Sequence, residues 1–130
     1  MKLKKLILCG IIGVMSMPMV STFAATLSSV YLDSTTIISG SLNVVNNKTQ
    51  GKAETTVHQS VKGDKPGVGL QCLSYGGNYY SLGGSYGSAT TSTTNKQSIT
   101  HTRGHSEAKQ YESFHTTSKV GKKKVLKVTK

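Results

Sequence analysis

Gln71-Cys72-Leu73-Ser74-Tyr75-Gly76-Gly77-Asn78-Tyr79-Tyr80-Ser81-Leu82 decides the fold class of this chain. Two strand-like runs flank a Gly-Gly pair. Both central positions of a type I′ turn need φ > 0, which glycine supplies without a Cβ clash. In that register Tyr75 faces Asn78, Leu73 faces Tyr80 and Gln71 faces Leu82. Leu73, Tyr75, Tyr80 and Leu82 then carry more apolar area than Cys72, Ser74, Tyr79 and Ser81, and are expected to point inward.

The same chemistry continues outward in both directions. Upstream, residues 35–45 alternate, with Ile38, Gly40, Leu42 and Val44 on one face. A loop at 46–51 leads to a run at 53–62 that groups Thr55, Val57, Gln59 and Val61, and residues 62–67 form a turn. Downstream, Gly83-Gly84 reads as a bulge or further turn, and 85–93 as a Ser/Thr-rich edge strand. Residues 94–96 turn the chain into a strand at 97–103. Residues 106–115 fit a strand, with Ala108 and Phe114 on one face, better than a helix carrying Ala108, Tyr111 and His115. A last strand at 123–129 offers Leu126 and Val128 for burial. The expectation is an all-β fold, a small antiparallel sandwich or barrel of six or seven short strands. No crossover helices are available for a parallel sheet.

The 130 residues suffice for one domain. Residues 1–24 read as a secretory signal peptide, with Lys2, Lys4 and Lys5 ahead of an apolar stretch from Leu6 to Val20. That stretch is shorter than the ~20 residues that span a bilayer. Thr22 and Ala24 place the cut before Ala25, leaving a single β domain at 25–130. A short Lys-rich leader is bacterial in style. Cys9 leaves with it, so Cys72 has no partner for an internal disulfide. The expected location is secreted, extracellular or bound to the cell envelope.

Charge is uneven. The whole chain carries +11, and without the three leader lysines +8 remains. Residues 119–130 hold Lys119, Lys122, Lys123, Lys124, Lys127 and Lys130 with no acid. Such a field attracts polyanions and anionic membranes, so an anionic cell-wall polymer, a membrane surface or a protein partner is expected. Nucleic acid is disfavoured by compartment and by the single arginine, Arg103, since arginine gives the geometric readout of phosphate and bases. Lysines on a terminal strand also block edge-to-edge aggregation, whereas Ser/Thr-rich edges can pair with a second copy. Tyr75, Tyr79, Tyr80 and Tyr86 are candidate aromatic contacts, because tyrosine faces stack on ligands and anchor interfaces as well as filling cores.

Catalytic and metal chemistry find little support. His101 and His105 lie ~13 Å apart on a straight strand, too far for one zinc. Cys72 lacks a flanking motif and reads as a semi-buried thiol. The five acids are scattered, and the glycine-rich segment lacks the lysine of a phosphate loop. No cofactor is expected. The sequence therefore favours a small secreted cationic binding protein without enzymatic activity. A bacteriocin-like or toxin-like protein acting on membranes, and a secreted inhibitor or immunity factor, are the alternatives.

Overall fold

The computed structural model describes residues 24–130. Among them are eight strands: β1 (Ala24–Tyr31), β2 (Ile37–Val45), β3 (Gln50–Gln59), β4 (Pro66–Ser74), β5 (Tyr79–Tyr86), β6 (Gln97–Gly104), β7 (Ala108–Thr117) and β8 (Val120–Thr129). They form two antiparallel sheets of four, ordered β1-β2-β3-β6 and β5-β4-β7-β8. The successive strands β3 and β4 part to opposite sheets, and each pairs with a later strand, β6 or β7. The leader expected at 1–24 lies outside the described residues, apart from Ala24.

The strand count exceeds the expected six or seven because β1 (Ala24–Tyr31) is not anticipated as a strand. Its alternation is broken by a bulge between Leu27 and Val30, which hides the period from a sequence reading. Conversely, 85–93 is not an edge strand. β5 ends at Tyr86, and the chain then crosses between sheets. That crossing is pinned to the 60–65 turn by Ser60 N–H donating to the Thr93 carbonyl and Thr90 N–H to the Asp64 carbonyl, at 3.0 and 2.8 Å.

The Gly76-Gly77 hairpin exists, but its loop has three residues. Ser74 N–H donates to the Asn78 carbonyl at 2.8 Å and Gly77 N–H to the Ser74 carbonyl at 3.0 Å, with Gly77 at φ +90°. Asn78 N–H also reaches Ser74 Oγ. Leu73 therefore faces Tyr79, and Cys72 faces Tyr80. A one-residue slip exchanges the faces of a strand. Val68, Leu70, Cys72 and Ser74 are buried instead of Leu73 and Tyr75, while Leu82 is inward as expected. Gly83, at φ +82°, takes the bulge option, with one extra β5 residue between Ser81 and Gly84.

β7 is a strand, but a bulge at Lys109 puts Ala108 and Tyr111 on the same side. Phe114 consequently faces outward, not inward with Ala108. On β3 the buried positions are Gly51, Ala53, Thr55 and Val57, while Val61 lies beyond the strand and is exposed.

One apolar cluster joins Leu42 and Ala53 to Val68, Leu70, Cys72, Leu82, Tyr111 and Val128 across both sheets. A second contains Leu27, Leu32, Ile38 and Val57. Two side chains of β7 key the sheets together. The His115 ring fills the space where a Cβ on Gly40 would come within 2.5 Å of Nδ1. The Tyr111 ring lies over Gly51, its Cδ1 2.9 Å from where a Cβ would stand, and its hydroxyl donates to the Thr49 carbonyl at 2.8 Å.

Candidate functional site

Of the six C-terminal lysines, Lys122, Lys123, Lys124 and Lys127 ride on β8, Lys119 lies in the turn before it and Lys130 just past its end, and β8 is an edge strand. From Lys122 to Lys130 an extended strand covers ~27 Å at ~3.4 Å per residue. Lys119, Lys122, Lys123 and Lys127 are exposed, while Lys124 and Lys130 are half-buried. Alternation places Lys127 on the outer face, and Lys124 on the side of Leu126 and Val128. A bulge between the His115–Lys124 and Thr117–Val120 pairs breaks the ladder. Bulges re-aim side chains, and here Lys123 Nζ stands 4.6 Å from the centroid of the Phe114 ring. Thr116 Oγ1 secures this bulge by donating to the Lys122 carbonyl at 2.6 Å.

The start of the lysine ridge is fixed by Asp64, which is fully buried. Its Oδ1 accepts from Lys119 N–H at 2.8 Å, Ser118 Oγ at 3.0 Å and Lys65 N–H at 3.0 Å, and Ser60 Oγ donates to Oδ2. Burial alone would raise this carboxyl, but the donors led by Ser60 outweigh it and hold it below its ordinary value.

Of the candidate tyrosines, Tyr75, Tyr79 and Tyr86 are 68, 55 and 58% exposed. All three belong to the β4–β5 hairpin, in the same sheet as β8. Tyr80 is set apart: it is half-buried against the core and stacks on His105 with centroids 4.3 Å apart. Tyr79 lies beside a polar network in which Gln71 Nε2 and Gln110 Nε2 donate to the two oxygens of buried Glu112. The Glu112 charge raises the Tyr79 hydroxyl, with burial and a hydrogen bond to Glu112 adding to it.

Between these groups the outer face carries a trough. In-register neighbours Gly84, Gly69 and Phe114 form one row, and Tyr86, Gly67 and Thr116 the next. The glycines leave the middle strand bare. The open groove measures about 290 Å³ and is bounded by Tyr86, Phe114, Thr116, Ser85 and Lys123. Its walls hold one cation and no acid.

The remaining titratable groups are engaged elsewhere. His58 Nε2 bonds Ser39 Oγ, and His101 Nε2 bonds the Leu82 carbonyl, each at 2.8 Å. His115 is fully buried between Thr55 Oγ1 at Nδ1 and Ser113 Oγ at Nε2, 2.8 and 2.6 Å away. Cys72 is fully buried, and burial pushes its thiol up. Among the described residues no three His, Cys, Asp or Glu side chains gather as a metal site, and no helix is long and apolar enough to cross a membrane. Sequence reasoning missed Phe114 as a surface ring and Asp64 as an anchor. Both depend on contacts between segments far apart in the chain. Searches of protein families, curated proteins and solved structures give no match.

Proposed function

We propose that this protein is a secreted, non-enzymatic cationic β-sandwich that binds an anionic extracellular or cell-envelope polymer. The observation that carries this reading is the lysine ridge. Six lysines fall within twelve residues, most of them exposed along one sheet edge. Exposed like charges at this density produce an attractive field for a polyanion, and they need no fixed geometry at the partner. Exposed tyrosines on the same sheet add apolar contact area.

Deleting the tail is the wrong test, because β8 contributes Val128 to the core. The combined substitution Lys122→Gln, Lys123→Gln and Lys127→Gln keeps the strand and removes three charges. Cosedimentation with purified bacterial cell walls reads the outcome. Wild-type protein is expected in the pellet and the variant largely in the supernatant, with both released by high salt. Equal pelleting of the two would refute the assignment.

A further inference from the structure

We propose that the trough beside Tyr86 is a sugar-ring subsite, and that the polymer bound by this protein is an acidic polysaccharide carrying carboxylated sugars. This rests on the lysine-ridge reading and narrows it from any polyanion to one chemical class.

Three observations converge on the trough. Tyr86 is held flat: a Cβ at Gly67 would meet its Cε1 and Cδ1 at 2.6 and 2.9 Å, so the ring edge occupies the place of that missing side chain. The ring nevertheless remains 58% exposed and offers an open face to solvent. A tyrosine presented in this way gives a rigid apolar platform at small entropic cost, which suits the C–H face of a pyranose ring. Lys123 is also held, with its ammonium over Phe114 by cation–π attraction. Phe114 is itself seated beside Gly69, 3.5 Å from where a Cβ would stand. The groove therefore places an anchored cation across from an anchored stacking face.

The occupant follows from charge and shape. The walls carry Lys123 and no acid, with Thr116 at the margin. A carboxylated sugar satisfies every element: its ring lies against Tyr86, its carboxylate meets Lys123 and its hydroxyls meet the margin. A ringless polyanion uses the lysine alone, and a neutral sugar leaves the lysine unused. At about 290 Å³ the groove is at the small end of ligand clefts, as befits one unit of a longer chain whose remaining charges run along β8. Phe114 is here a positioning residue for Lys123.

The test compares three probes on the full chain by calorimetry: polygalacturonate (rings and carboxylates), polyglutamate of equal charge (carboxylates without sugar rings) and dextran (rings without charge). The expected order is polygalacturonate first, polyglutamate weaker and dextran undetectable. Tyr86→Ser is expected to weaken polygalacturonate by roughly three- to tenfold, as for the loss of one aromatic contact, and to leave polyglutamate unchanged. Tyr86→Phe keeps the ring and should keep the affinity, which guards against a folding defect in the serine variant. Phe114→Leu should reduce the preference for polygalacturonate over polyglutamate. Equal affinity for the two polyanions, with Tyr86→Ser without effect, overturns the subsite and leaves the lysine ridge standing. Absence of binding to both polyanions overturns the two readings together. A dimer in sedimentation that Tyr86→Ser converts to monomer assigns the trough to a second copy and also overturns the proposal.

Discussion

Lowering the pH from 7 to 5 should destabilise this protein through one buried imidazole. His115 has no solvent exposure, and its two ring nitrogens face the hydroxyls of Thr55 and Ser113. Burial holds its pKa at about 4, against an ordinary 6.5. The unfolded chain takes up a proton near 6.5, whereas the folded chain refuses it until about 4. Stability is therefore complete above the unfolded value and falls as the pH drops through that window. Each pH unit of difference is worth ~1.4 kcal/mol, so the loss is about 2 kcal/mol by pH 5 and about 3 kcal/mol once the folded value is passed. Urea denaturation at pH 7, 6 and 5 measures it, with midpoints moving steadily down. His58 is also lowered, by burial and then by Lys96, and adds to the same window. His115→Gln removes the His115 part and should leave only the remaining slope. An NMR titration identifies the group directly, because the His115 imidazole should show its titration midpoint at about pH 4. A pH-independent midpoint, or a His115 signal titrating near 6.5, would show that burial does not keep this imidazole neutral.

Three further outcomes follow from the fold and from the proposed secretion. Asp64→Ala should cost about 3 kcal/mol in urea unfolding, because it strands the buried Ser60 hydroxyl and removes the acceptor of the part-buried Lys65 N–H, Ser118 hydroxyl and Lys119 N–H; the depressed carboxyl also predicts a second loss of stability as pH falls below ~4, beneath the His115 window, which the variant should lack. Gly40→Ala places a methyl 2.5 Å from His115 Nδ1, inside a cage closed by Thr55 and Ser113, and should cost about 1–3 kcal/mol by calorimetric melting. Mass spectrometry of protein recovered from the medium of an expressing bacterium should show a chain beginning at Ala25, and an intact leader there would oppose export with cleavage.

The all-β class was legible because turn residues separate short runs of alternating residues, and local chemistry decides both. Register was less so. Gly76-Gly77 is compatible with a two-residue or a three-residue loop, and Ser74 selects the longer one by receiving the Asn78 N–H. The pairing of β4 with β7 then holds Cys72 inward against Tyr111. The Lys109 bulge likewise moves Phe114 to the surface, and no periodicity could announce a bulge set by a partner strand. The lysine ridge was visible as composition, since charge needs no fold to be counted. The trough was not: Tyr86, Phe114 and Lys123 come from β5, β7 and β8 and meet only because Gly67 and Gly69 leave room between them.

Binding to an anionic polymer is here assigned to the β8 lysines, acting as a dense exposed charge array. Its most direct measurement is the affinity of the full chain for polygalacturonate at a series of salt concentrations, for wild type and for the triple glutamine variant of Lys122, Lys123 and Lys127. Wild-type affinity should fall steeply as salt rises, and the variant should bind more weakly with a shallower dependence, because fewer counterions are displaced. Affinity that ignores salt, or a variant matching wild type in both strength and slope, would contradict that assignment.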